Sequence, residues 1–210
     1  MSELDLELYD NPEQIKFTTP LPLQQFLDGV PKSARILDIG CGYGRILKYF
    51  YELGYENLTG IDVSSRLINR ARNYLPCANY FIEDILDWKI SSNYDLVLIC
   101  GVLEYFVEPI NRTKLVSQID CLLDNNGKVY LEAFTLDQKY LKSYLVSFLK
   151  GETWGTIQLN EKIKVFHTSP KEIDGLFAKS FCKEMFLADK FVTWSNKSVN
   201  GYISLYRKGS

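Results

Sequence analysis

The chain has 210 residues, 46% of them apolar, and a formal net charge of −2, values of an ordinary globular domain that exclude wholesale disorder. A chain this long buries roughly 70% of the surface its unfolded form exposes, so it needs no disulfide or structural metal to hold a core. No apolar run reaches the roughly 18 to 20 residues that cross a bilayer, and an N-terminus bearing Glu3, Asp5, Glu7 and Asp10 is acidic where a signal peptide is basic.

Residues 1–32 read as an N-terminal cap segment. From Ser33 onward, short aliphatic runs alternate with amphipathic stretches of about a dozen residues, the signature of a parallel sheet with crossover helices. The first strand is Arg35 to Ile39, and a turn at Gly40 to Gly44 leads into a helix with Ile46, Leu47, Phe50 and Leu53 on one face. Gly54 stops that helix. Asn57 to Asp62 reads as a second strand, after which Ser64 or Ser65 caps a helix that buries Leu67, Ile68, Ala71 and Leu75. A third strand spans Asn79 to Glu83. The fourth, Tyr94 to Cys100, is apolar on both faces as a central parallel strand must be. Leu115, Val116, Ile119 and Leu122 mark a helix, Asn125-Asn126-Gly127 a turn, and Lys128 to Phe134 a fifth strand.

Past Phe134 the alternation stops, and residues 135–165, with Tyr140, Tyr144, Phe148, Trp154 and Ile157, read as an insertion or cap. Ser169-Pro170 opens a further helix carrying Ile173, Leu176 and Phe177. Strand-like runs follow at Phe181 to Val192 and Gly201 to Arg207. Two such strands in succession predict an antiparallel C-terminal edge. The expected architecture is therefore a single domain of doubly wound α/β type, a mostly parallel seven-stranded sheet with helices on both faces and an antiparallel C-terminal edge strand.

The strongest local signal is Ile36-Leu37-Asp38-Ile39-Gly40-Cys41-Gly42-Tyr43-Gly44-Arg45, a strand running into a glycine loop and then a helix. Glycines are required where a ligand approaches the backbone closely and the turn takes dihedrals that other residues resist. The third glycine falls at Gly44, whereas the dinucleotide fingerprint reserves the place of Arg45 for it. That argues against an NAD-linked oxidoreductase. Asp62 ends the second strand, 22 residues after Gly40, where a carboxylate can accept from both hydroxyls of a ribose. Glu83-Asp84-Ile85 supplies another acid at the end of the third strand, on the same edge of the sheet.

Together these residues resemble the class I S-adenosylmethionine-dependent methyltransferases over roughly residues 33–134. The family's first motif reads here as Leu37 to Gly44, the second as Gly60-Ile61-Asp62-Val63-Ser64 and the third as Glu83-Asp84-Ile85. The resemblance implies that Asp38 and the loop Gly40, Cys41, Gly42 and Gly44 hold the methionine part of the donor. It further implies that Asp62 binds the ribose, that Val63 beside it belongs to the cofactor site, and that Asp84 and the Ile85 amide hold the adenine. Cys100, Gly101 and Val102 would floor the donor site. The stretch from Phe166 to Phe181 looks like the late helix that precedes the family's last two strands. The implied cofactor is S-adenosylmethionine, leaving S-adenosylhomocysteine as product, with residues 33–134 as the donor-binding half and 166–210 as the substrate-side half.

Methyl transfer from a sulfonium is an in-line displacement, in which orientation alone supplies on the order of 7 to 11 kcal/mol. A carboxylate, thiolate or free amine attacks directly, whereas a hydroxyl needs a base within reach. Glu104, Glu132 and His167 are the candidate bases, with Tyr105 beside the first of them. Tyr105 stands where many relatives have histidine, and Gly101 where certain metal-dependent members have an acid; both departures argue against a metal site. Tyr9, Phe17, Tyr105, Tyr140 and Trp154 are candidate walls for the acceptor.

Five cysteines, an odd number without C-x-x-C pairing, read as reduced thiols, mostly buried small hydrophobes. The expected location is cytoplasmic. Residues 1–134 hold 12 Lys/Arg against 19 Asp/Glu and residues 135–210 hold 12 against 7, a swing from −7 to +5. Nucleic acid is disfavoured as a partner, because gripping phosphates calls for a dense basic face. The reading is a methyltransferase acting on an oxygen or nitrogen of a small molecule. Its rivals are an RNA or protein methyltransferase on the same fold and a non-catalytic donor-binding partner protein.

Overall fold

The computed structural model describes residues 23–89, 93–161, 163–192 and 198–209. The strands are β1 (Ile36–Ile39), β2 (Leu58–Asp62), β3 (Asn79–Ile82), β4 (Tyr94–Cys100), β5 (Leu123–Phe134), β6 (Thr156–Gln158), β7 (Lys164–Phe166), β8 (Phe181–Val192) and β9 (Ser198–Lys208). The helices are α1 (Leu23–Phe26), α2 (Arg45–Glu52), α3 (Ser65–Tyr74), α4 (Pro109–Leu122), α5 (Leu141–Leu149) and α6 (Pro170–Phe177). Seven strands form one sheet in the order β3-β2-β1-β4-β5-β9-β8, and β6 and β7 make a separate antiparallel ribbon.

Strands β1 to β5 pair in parallel. The last strand in the chain, β9, is antiparallel to β5 on one side and to β8 on the other, so it is the strand inserted next to the edge. Every residue of β1 is buried, as the apolar run predicts for a strand covered on both faces. Leu37, Ile39, Val97, Ile99, Val129 and Leu131 face the side where α4 and α6 pack. Ile36, Leu96, Leu98 and Tyr130 face the side covered by Phe26 of α1 and by α2 and α3. The chain is thus a doubly wound α/β layer structure.

Local chemistry accounts for the element ends. Ser64 caps α3 by accepting the Leu67 amide, and Ser169 with Glu172 forms a full capping box at the start of α6. Gly54, at φ 88°, ends the turn after α2. The expected turn at Asn125-Asn126-Gly127 exists but does not interrupt the strand. The register jumps from Tyr94↔Leu123 to Leu96↔Lys128, and Asn126, at φ 64°, takes the left-handed conformation that asparagine tolerates. The turn residues therefore form a bulge inside β5.

Residues 135–165 contain α5 and the β6–β7 ribbon, which share a small apolar cluster of Tyr144, Ile157, Ile163 and Val165. Of the N-terminal segment, residues 23–32 are described; Phe26 sets its ring edge against Tyr130 at 5.3 Å between centroids. Tyr9 and Phe17 lie outside the described residues. Among the described residues no helix is long and apolar enough to cross a membrane.

The loop after β1 fits against β2 only because Gly60 lacks a side chain: a Cβ there would lie 2.6 Å from Cys41 Sγ and 3.0 Å from Leu47 Cδ1. Gly60→Ala is expected to lower stability by about 1–3 kcal/mol, read as a lower urea midpoint. Adding Cys41→Ala should restore part of the loss.

Candidate functional site

The site is set by topology. β1 pairs with β2 on one side and with β4 on the other, so the chain reverses its winding direction at β1 and the C-terminal tips of β1 and β4 border a crevice. Gly40 and Gly101 end these two strands at φ 68° and 67°. A Cβ at Gly40 would lie 2.4 Å from Val102 Cγ2, which shows how closely the tips approach. At Gly42, φ 55°, and at Gly101 a Cβ would meet no atom within 4 Å. These two glycines border open space. Gly44 is the backbone cap of α2 and sits under Tyr80, whose hydroxyl would be 2.9 Å from an added Cβ.

Asp62 ties the first two tips together. Its Oδ2 accepts the Gly42 amide at 2.9 Å and its Oδ1 the Ser64 amide at 2.8 Å. Burial pushes its carboxyl upward, and the amides of Ser64, Gly42 and Val63 pull it back. Three amides against the four lone-pair sites of a carboxylate leave room for a ligand hydroxyl. Asp84 repeats the device at the third tip, accepting the Leu86 amide at 2.9 Å, and the neighbouring Ile85 side chain is buried in the core. Cys41 contributes only backbone to the loop, because its side chain is turned inward among Leu47 and Gly60.

Beneath the loop lie three buried acids: Asp38 of β1, Glu132 of β5 and Glu104 of the short helix Leu103–Tyr105, none more than 2% exposed. Asp38 Oδ2 has no hydrogen-bond partner. Burial pushes its carboxyl up to about 8, with Asp62 and Glu132 adding to the rise and Arg45 opposing it. Glu132 accepts from the Tyr130 hydroxyl at 2.5 Å, and burial raises it to about 7. Glu104 accepts the Phe134 amide, while its other oxygen is unpartnered; burial lifts it to about 7 as well. Cys100, paired across the ladder with Glu132, has its thiol pushed well up by burial and by Glu132. It stays protonated and unreactive.

His167 lies elsewhere, under the cap. It is 4% exposed, its Nδ1 is 3.0 Å from the Tyr144 hydroxyl, and the rings of Phe134 and Tyr140 stand at 5.8 and 5.6 Å. Burial lowers its imidazolium to about 4, so the ring is neutral at pH 7 and a weak proton acceptor. Tyr105 packs against the cap cluster with Tyr140. The structure thus gathers Asp38, the Gly40–Gly44 loop, Asp62, the floor from Cys100 to Val102, and Glu104 with Glu132. It sets His167 apart, in contact through Phe134.

Arg45 and Tyr130 enter the site without having been singled out in the sequence. The available signal was alternation in β5, where Val129, Leu131 and Ala133 face one core while Tyr130, Glu132 and Phe134 face the other. An acid inside such a strand must be buried.

Comparison with known proteins agrees with this geometry. Residues 36–127 match a family model described as a methyltransferase domain. Malonyl-[acyl-carrier protein] O-methyltransferase 1 of Ilyobacter polytropus is 27% identical over 133 residues, covering 60% of this chain and 47% of that protein. A tRNA (carboxymethyluridine(34)-5-O)-methyltransferase of Macaca fascicularis is 30% identical over 135 residues, covering 63% of this chain and 19% of that protein. The chain therefore spans about half or less of these relatives. A solved S-adenosylmethionine-dependent methyltransferase from Methanosarcina mazei superposes with a TM-score of 0.83 at 21% identity, covering 90% of this chain and 98% of that one. That likeness is one of fold.

The three acids hold protons more tightly in the folded chain than ordinary aspartate and glutamate side chains do, at about 8 for Asp38 and about 7 for Glu104 and Glu132. Their stabilising contribution is complete below about pH 4 and is lost as pH rises through about 7 to 8. The thermal midpoint of the ligand-free protein is expected to fall between about pH 5.5 and 8.5. Asp38→Asn should flatten that slope; an unchanged slope would contradict the buried, unpaired state of Asp38.

Proposed function

We propose, from the premise that the chain carries a methyltransferase domain on the class I Rossmann-like fold, that it binds S-adenosylmethionine at the tips of β1, β2 and β3 and transfers its methyl group to a small-molecule acceptor. The observation that carries this reading is the buried, unpartnered Oδ2 of Asp38 beside a glycine loop that borders open space at Gly42 and Gly101. An orphaned carboxylate oxygen is costly unless a cation or a donor reaches it. The donor's ammonium supplies one.

When bound, S-adenosylmethionine supplies an electrophilic methyl carbon on a positively charged sulfur. The chain's own residues do the rest. The carboxylate of Asp38 takes the ammonium of the amino-acid end, and the Gly40–Gly44 loop, its amides held by Ile61, Asp62 and Cys41, shapes the wall beside it. Asp62, already aligned by Gly42 and Ser64, accepts from ribose hydroxyls, and the tip at Asp84 and Ile85 borders the adenine. Gly101 lets the backbone pass close beneath the reacting centre, and Val102, packed on Gly40, fixes that floor. The main catalytic contribution is orientation within a crevice that excludes water.

A small acceptor is favoured by the charge balance of residues 1–134, 12 Lys/Arg against 19 Asp/Glu, since gripping phosphates calls for a dense basic face. The Macaca relative acts on tRNA by its name, yet this chain covers 19% of it.

Calorimetry with S-adenosylmethionine and S-adenosylhomocysteine tests the reading. Asp62→Ala is expected to weaken donor binding by about 10- to 100-fold, roughly 1.5 to 3 kcal/mol of charge-assisted hydrogen bonding. Gly42→Val should abolish it by filling the space and by opposing a positive φ. Absence of binding by the unaltered protein would sink the methyltransferase reading.

A further inference from the structure

Donor binding leaves two buried acids unexplained. Glu132 is joined by register to Cys100, the last residue of β4, and its carbonyl accepts the Gly101 amide at 3.0 Å, so it adjoins the donor floor directly. Glu104 follows that floor three residues after Gly101. Its carboxyl is anchored to the Phe134 amide at the tip of β5, and its second oxygen is buried without a partner. Both acids are 2% exposed.

We propose that the methyl acceptor is an amine, received as its ammonium ion by Glu132 and Glu104 beside the ring of Phe134. This rests on the methyl-transfer reading above and names its substrate class.

The charges around Glu132 support it. Tyr130 donates to it from its own strand, and Asp38 on β1, Cys100 on β4 and Glu104 on the following turn are acids or a thiol that it destabilises when charged. Arg45 at the start of α2 is the one cation among the described residues whose field is recorded at Asp38, Cys100 and Glu132. One arginine facing several acids leaves a deficit of positive charge. Asp38 takes the donor's ammonium, and a second cation is then called for at Glu132 and Glu104. In the ligand-free chain Glu132 and Glu104 hold protons near neutrality, and an organic ammonium brings both a proton and a positive charge to that place. Phe134, edge-on to Phe191 at 5.9 Å, adds an aromatic wall of the kind that ammonium groups favour. A carboxylate acceptor, by contrast, would add negative charge to the crevice. In this the chain departs from the carboxyl chemistry in the names of both curated relatives described above.

The proton balance is simple. The bound ammonium gives one proton to Glu132, the free amine lone pair attacks the methyl carbon, and the carbon–sulfur bonding pair stays on sulfur. The product leaves as the N-methylated ammonium, and Glu132 passes its proton to solvent. Both acids are poised near neutrality, at about 7, where such an exchange is reversible.

The test uses the full chain loaded with S-adenosylhomocysteine and two matched probes, phenethylamine and 3-phenylpropionate, titrated by calorimetry. It is paired with methyl transfer from labelled S-adenosylmethionine to a set of primary and secondary amines, phenols and carboxylates. The amine probe is expected to bind at least about tenfold more tightly than the carboxylate. Glu132→Gln should reduce kcat/KM for the best amine by at least about 100-fold while donor affinity stays within about threefold of the parent, which separates this role from a structural one. Tighter binding of the carboxylate, preferential turnover of phenols or carboxylates, failure of every amine, or an unchanged kcat/KM in Glu132→Gln overturns the proposal. Loss of donor binding in the parent protein would instead strike the methyl-transfer reading beneath it.

Discussion

A carboxyl group taken out of water has to find a positive charge, accept good hydrogen bonds or keep its proton. Most of what distinguishes this crevice follows from that constraint. Asp62 meets it with two backbone amides, and is thereby fixed as a strut between two loops. Asp38 and Glu104 meet it by keeping their protons toward neutral pH, each with a buried oxygen left without a partner. Glu132 meets it in part, through one tyrosine. The fold therefore carries this burden in raised proton affinities, which a cationic ligand of the proposed kind would relieve. Affinity for such ligands and stability of the empty protein are opposed, as is common where a site is preorganised for charge.

That burden is tolerable because the other end of the sheet is closed. Arg35, just before β1, bonds Asp95 of β4 through its backbone amide and its side chain and reaches Asp124 of β5 as well, so three strand starts share one ion cluster. These groups are partly exposed, and the contribution of each pair is modest. Their effect is geometric: with the N-terminal ends in register, the C-terminal tips are placed by rigid strands and not by the loops themselves. Both faces are then covered by continuous apolar layers.

Much of this was legible in the residues. The glycine loop, Asp62 and the run from Tyr94 to Cys100 carry strong local signals, because close backbone approach and two-sided burial restrict residue choice severely. The bulge at Asn126 was less legible, since a turn within a strand and a turn between elements use the same residues. The region from 135 to 165 gave no period because α5 buries little beyond Tyr144 and Ser147 and the ribbon strands are short. His167 shows the limit most clearly. Its ordinary pKa suits a base, and only packing among Phe134, Tyr140 and Tyr144 removes that capacity. Burial of a titratable group is a tertiary property, which a one-dimensional pattern does not encode.

The same reasoning explains why Glu104 can be aimed at all. It sits on a single turn of helix between the Cys100–Val102 tip and α4, a segment that would fray if left to itself. Arg112 of α4, itself 6% exposed, donates to the carbonyls of Phe106 and Val107 at 2.7 and 2.6 Å and lies 3.9 Å above the ring of Phe166 in β7. Its charge also faces Glu172 and Glu108, and it helps to hold the capping-box Glu172 below the usual carboxylate range. One guanidinium thus ties the chain after the turn to β7 and to the start of α6, and Glu104, anchored separately to the Phe134 amide, keeps the position that these ties set.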